Sequence, residues 1–129
     1  MAKRILVVDD DPDFLLTTGH ALKSAGYAVV TADSGRQALD QLGKAGPFDL
    51  FIIDAMMSTF TEGFELAHEL RRREETRETP IVMLTAIEEQ FGGRFDAEKD
   101  AQALGLNALL RKPVAAPDLL KNVRELTGS

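Results

Sequence analysis

Apolar positions in this chain gather into short runs at Ile5–Val8, Ala28–Thr31, Leu50–Ile53, Ile81–Leu84 and Ala108–Leu110. Each run is nearly continuous and bounded by turn residues, the pattern of strands buried on both faces. Between them the apolar positions recur with a helical period. Phe14, Thr18, Ala21 and Ala25, with Leu15 and Leu22, mark one face of a first helix. Asp11-Pro12-Asp13 opens that helix, with proline at its first position, and Gly26 ends it. Ser34-Gly35-Arg36-Gln37 is a capping box ahead of Ala38 and Leu42. Phe64, Leu66, Ala67 and Leu70 carry a third helix that closes on Arg71, Arg72 and Arg73, where cations suit the helix dipole. With Glu74, Glu75 and Glu78 following, that basic run reads as a solvated helix end. Ala97–Leu104 predicts a fourth helix and Pro117–Leu126 a fifth, with proline at its start.

Strands alternating with helices of this length predict an α/β domain, a doubly wound five-stranded parallel sheet with helices on both faces. In such sheets ligands bind beyond the carboxyl ends of the strands. The residues at those ends are therefore the candidates. The first strand delivers Asp9 and Asp10, the third Asp54, the fourth Thr85 and the fifth Lys112. Two carboxylates about 5 Å apart repel by about 3 kcal/mol at an effective dielectric near 20. Three carboxylates, one lysine and one divalent ion sum to zero charge. An all-oxygen set with no His or Cys suits a hard cation, Mg²⁺ above all, and Mg²⁺ sites commonly also receive phosphate oxygens.

Composition narrows the function classes. The 129 residues predict one domain over 1–129, with 44% hydrophobic and 28% charged residues, ordinary for a globular protein. No apolar run is long enough to cross a bilayer, so no membrane partner is expected. The formal net charge of −6 comes without a basic stripe, which argues against direct nucleic-acid binding. With no cysteine there is no disulfide framework and no thiolate metal site, which fits a reducing cytoplasm.

The motifs "VVDDDP", "IIDAMM", "MLTA" and "RKP", at successive predicted strand ends, resemble the receiver domain of two-component response regulators over essentially the whole length. The resemblance implies a (βα)5 flavodoxin-like fold with strand order 2-1-3-4-5. It implies that Asp54 is the phosphoacceptor, that Asp10 ligates Mg²⁺ directly and Asp9 largely through water, and that Met56 lends a backbone carbonyl. Thr85 would contact a phosphoryl oxygen, Lys112 would pair with the phosphoryl group, and the Lys112–Pro113 bond would be cis. The implied donor is a phosphohistidine on a sensor histidine kinase or histidine phosphotransfer protein. The output is a switch in binding to a protein target or a fused output domain, not metabolic turnover.

Some positions depart from the family pattern. Leu109 stands where an aromatic residue usually rotates with the switch threonine, so signalling is expected to rely on Thr85 and the loop at 87–100. Met57-Ser58 replaces the usual Met-Pro turn, and Gly63 falls one residue late. Met56 and Ile87, both apolar, predict a long-lived phosphorylated form, because neither can orient an attacking water. His20 and His68 read as surface residues, and Met56, Met57 and Met83 as packing residues. Two other functions fit parts of the pattern. Asp9-Asp10-Asp11 can be read as the D-x-D of a haloacid-dehalogenase-like phosphatase with Asp9 as nucleophile. The domain could also be an interaction-only receiver that is never phosphorylated.

Overall fold

The structure, a computed structural model, describes residues 2–55, 57, 61–85, 101–102 and 104–128. In chain order the elements are β1 (Arg4–Val8), α1 (Pro12–Ser24), β2 (Ala28–Ala32), α2 (Gly35–Ala45), β3 (Leu50–Asp54), α3 (Glu62–Arg72), β4 (Ile81–Thr85), β5 (Ala108–Arg111) and α4 (Ala116–Thr127). The strands form one sheet in the order β2-β1-β3-β4-β5, every pairing parallel. That is the predicted doubly wound topology, and each strand lies within a residue or two of its apolar run.

Side chains alternate across the sheet and build two cores. Leu6, Val8, Phe51, Ile53, Ile81, Met83 and Leu109 face α2 and α3, where Ala38, Leu66, Ala67 and Leu70 cover them. Ile5, Val7, Leu50, Ile52, Val82 and Leu84 face α1 and α4, meeting Leu22, Leu119 and Val123. The central strands β3 and β4 are buried at every position, as their unbroken apolar sequences require. The edge strands β2 and β5 are partly exposed and carry the polar interruptions.

Local signals act largely as written. Asp11 caps α1 by accepting a hydrogen bond from the Asp13 backbone N–H at 3.0 Å, with Pro12 at the first helical position. Gly26 ends the helix with a φ of 100°, a conformation that disfavours residues with a Cβ. Ser34 Oγ accepts from the Gln37 N–H at 3.1 Å, while Gln37 Oε1 accepts from the Asp33 N–H at 2.7 Å. The Gly35 N–H donates to Glu62 Oε2 at 2.9 Å, so the start of α3 helps to cap α2. The Lys112–Pro113 bond is cis as expected, and Gly46–Pro47 is cis as well. His20 and His68 are exposed, Met83 is fully buried, and Met57 packs at the margin of the α2–α3 core. Within the predicted fourth helix, Ala101 and Gln102 are helical and Leu104 lies in a turn. The rest of that segment, and all of the 87–100 loop, fall outside the described residues.

One sequence reading needs correction. Arg72 is solvated and, among the described residues, pairs with Glu69, one turn back, at 3.2 Å. Arg71 is half-buried and tied into the fold. Its guanidinium donates to the carbonyls of Gly105 (2.8 Å), Thr76 (3.1 Å), Arg77 (3.0 Å) and Thr79 (2.7 Å), and to Asn107 Oδ1 (3.0 Å). Asn107 Oδ1 also accepts from the Ile81 N–H at 3.0 Å. The group ties the end of α3 to the entries of β4 and β5. Partial burial lowers the Arg71 pKa from its ordinary value, though a guanidinium stays charged regardless. The helical period cannot announce this, because the acceptors lie outside the helix, in the turn that follows it and in the remote segment at Gly105 and Asn107. Among the described residues no helix is long and apolar enough to cross a membrane.

Candidate functional site

Parallel pairing brings the carboxyl ends of β1, β3, β4 and β5 to one edge of the sheet, and each predicted residue among those described stands there. Asp9 follows β1, and its backbone N–H continues the ladder to Ala32 at 3.0 Å. Its side chain is fully buried. Oδ1 accepts from the Asp11 N–H at 2.9 Å, which shapes the turn into α1, and Oδ2 accepts from Lys112 Nζ at 2.7 Å. Asp10 is exposed at the rim. The acidic run thus divides its labour: Asp9 lies inside the site, Asp10 at its mouth, and Asp11 caps the helix.

Asp54 is the last residue of β3 and is 7% exposed. Its Oδ2 lies 3.6 Å from Lys112 Nζ. Carboxylate oxygens of Asp9, Asp10 and Asp54 all come within 4.8 Å of one another. Thr85 ends β4, fully buried, on the strand beside that of Asp54. Its carbonyl accepts from the Lys112 N–H at 2.9 Å, which fixes the start of the lysine's segment against β4. Met56 and Ile87 lie outside the described residues.

Gly63 supports the site in a way its sequence position did not reveal. A Cβ there would lie 2.2 Å from the Asp54 carbonyl oxygen and 2.6 Å from Ala55 Cα. The Gly63 N–H instead donates to the Ala55 carbonyl at 3.0 Å. A glycine is therefore needed for α3 to pack against the strand end that carries Asp54. The sequence registered Gly63 only as an offset in spacing. Phe14, assigned by periodicity to the buried face of α1, also reaches this edge: its ring lies under the Lys112 ammonium.

The electrostatics follow from the count. Lys112 sets one ammonium against three clustered carboxylates, and burial of Asp9 and Asp54 leaves the repulsion between those two poorly screened. The donors are all carboxylate oxygens, hard ligands in a cluster tight enough to share one small cation. This set fits Mg²⁺ and offers nothing to a soft metal. A carboxylate at the edge of a cation site, with an ammonium alongside, is also suited to accept a phosphoryl group, because both charges can oppose its oxygens.

Comparison with known proteins shows the family and the fold. The pattern that defines the response regulator receiver domain matches residues 5–124. The alkaline phosphatase synthesis transcriptional regulatory protein PhoP of Bacillus subtilis is 32% identical over 126 residues, which cover 98% of this chain and 49% of PhoP. The chain therefore spans about half the length of PhoP. The chemotaxis response regulator CheY4 of Vibrio cholerae superposes with a TM-score of 0.82 at 34% identity, covering 98% of this chain and 99% of that one. The receiver domain of a sensor histidine kinase from Pseudomonas aeruginosa PAO1 superposes with a TM-score of 0.81 at 26% identity, with full coverage of both chains. That structure holds a magnesium ion coordinated in its active site cleft. The phosphatase alternative falls with the family match. Asp9 is moreover fully buried, with one oxygen engaged by Lys112 and the other by the Asp11 N–H.

Proposed function

The chain belongs to the response regulator receiver domain family, and from that premise we propose that Asp54 is its phosphoacceptor, served by Lys112, Thr85 and a Mg²⁺ site at Asp9, Asp10 and Asp54. Receiver domains are signalling domains of two-component systems, switched by phosphorylation of an aspartate, and are not metabolic enzymes. The observation that carries the residue assignment is the position of Lys112 Nζ, 2.7 Å from Asp9 and 3.6 Å from Asp54 in a cluster of three carboxylates.

In the proposed reaction an Asp54 carboxylate oxygen attacks the phosphorus of a phosphohistidine on a sensor kinase or phosphotransfer protein. A P–O bond forms as the P–N bond breaks, and the imidazole leaves. Mg²⁺, held by Asp9, Asp10 and Asp54 with the Met56 carbonyl, would supply charge neutralisation at the phosphoryl oxygens. Lys112 turns from its carboxylate partners to one of those oxygens, and the Thr85 hydroxyl donates to another. Burial of Asp9, Asp54 and Thr85 strengthens each of these interactions by excluding water. The switched surface then favours a downstream protein target or an attached output domain. The acidic chain itself takes no direct part in nucleic-acid binding.

Intact-mass spectrometry after exposure to phosphoramidate and Mg²⁺ tests the assignment. The expected result is one phosphoryl group per chain, lost in Asp54→Ala and when Mg²⁺ is chelated. Full modification of Asp54→Ala would move the acceptor elsewhere. An unmodified wild-type chain would favour the interaction-only receiver.

A further inference from the structure

Lys112 has a third neighbour besides its carboxylates. Its Nζ lies 4.3 Å from the centroid of the Phe14 ring. Phe14 is half-buried in the first turn of α1, fixed there by the Asp11 cap and Pro12. Together with Lys112 and Pro113 it lines one end of a groove of about 520 Å³ between α1 and α4. We propose that Phe14 is a positioning residue for phosphoryl transfer, its ring holding the Lys112 ammonium at the site while Asp9 and Asp54 engage other partners.

The argument is one of competing duties, and it rests on the function proposed above. Asp9 is a metal ligand in that reading and Asp54 the nucleophile. Each must weaken its hold on Lys112 when metal and phosphoryl donor arrive. A lysine side chain is long and loses much rotamer freedom when held, so an ammonium released by both carboxylates would disperse into solvent. An aromatic face attracts a cation through its quadrupole, yet it neither ligates Mg²⁺ nor accepts a phosphoryl group. The ring thus restrains Lys112 without competing for either. An aliphatic side chain of similar size would cover the groove equally well and lack that attraction.

This distinction supplies the test. Phe14→Leu keeps an apolar cover and removes the quadrupole, Phe14→Tyr keeps both, and Phe14→Met is a second aliphatic variant should leucine impair folding. With phosphoramidate and Mg²⁺, the maximal rate of Asp54 phosphorylation should fall about three- to tenfold in Phe14→Leu and Phe14→Met and stay near wild type in Phe14→Tyr. The donor concentration for half-maximal rate should change less than about twofold, since the ring acts on the transferring charge through Lys112. NMR of the metal-free chain should show the Lys112 ε-methylene protons shifted upfield by the ring in wild type and Phe14→Tyr, and near ordinary values in the aliphatic variants. A merely structural role for Phe14 would not produce that grouping. Wild-type maximal rates in the aliphatic variants, equal slowing in Phe14→Tyr, or unshifted ε protons in wild type would each overturn the proposal. Failure of the phosphoacceptor reading is seen separately, as the absence of an Asp54 adduct on wild type, and would remove the inference along with it.

Discussion

The two ends of the sheet treat buried charge in opposite ways. At the amino ends, cations are surrounded by dipoles. Arg71 donates to four backbone carbonyls and to Asn107 Oδ1. Arg4 donates from its guanidinium to the Ala45 and Pro47 carbonyls and from its backbone N–H to Asp49. Neutral acceptors satisfy those cations within the chain, and what results is rigidity. At the carboxyl ends three carboxylates share one ammonium. Among the described residues that cluster carries more negative than positive charge, the setting in which the proposed Mg²⁺ would bind. The contrast separates residues that hold the fold from residues proposed to act, although both sets are charged and partly buried.

Exchange of residues at the two ends should divide stability from chemistry. Arg71→Ala strands acceptors in the two segments that lead into β4 and β5 and should cost about 2–4 kcal/mol in denaturant unfolding, with Arg71→Lys recovering little because an ammonium cannot fork. Arg72→Ala, which removes a solvated pair with Glu69, should change stability by less than about 0.5 kcal/mol. Neither change should alter Mg²⁺ affinity by calorimetry. A metal effect from Arg71→Ala would break the division between the two ends.

Gly63 sharpens the comparison, because it serves packing at the acting end. Gly63→Ala puts a Cβ into the backbone beside Asp54 and should cost about 1–3 kcal/mol by thermal unfolding, while also slowing phosphorylation. Destabilisation with an unchanged phosphorylation rate would show that the strand end tolerates the shift. At the mouth of the site the expected stability effect is small and of opposite sign. Asp10→Asn should raise the stability of the metal-free chain by no more than about 1 kcal/mol, since Asp10 is exposed and its repulsion is screened. The same substitution should weaken Mg²⁺ binding at least about tenfold, so fold and function would move in opposite directions. Equal affinity in wild type and Asp10→Asn would remove Asp10 from the metal site.

Much of the architecture was legible because it rests on local rules. Unbroken apolar runs such as Leu50–Ile53 can be buried on both faces only in a covered parallel sheet, and the caps at Asp11 and Ser34 act through neighbours two or three residues away. The convergence of the candidate site residues was legible for a related reason. Parallel topology carries every strand's carboxyl end to one edge, so Asp9, Asp10, Asp54, Thr85 and Lys112 had to converge once the strands were known. Arg71 and Arg72 mark where this reasoning stops. They are adjacent, chemically identical and both in the last turn of α3, yet one joins three segments and the other meets water.

The sequence by itself determined the alternation of strand and helix, the helix starts and the set of charged residues at the strand ends, because each depends on periodicity or on contacts a few residues apart. Only the tertiary structure decided which acidic residue is buried and which is exposed, that Gly63 must lack a side chain, and that Phe14 meets Lys112. Those facts depend on distances between atoms remote in the chain, and burial and Coulomb energies follow such distances rather than the order of residues.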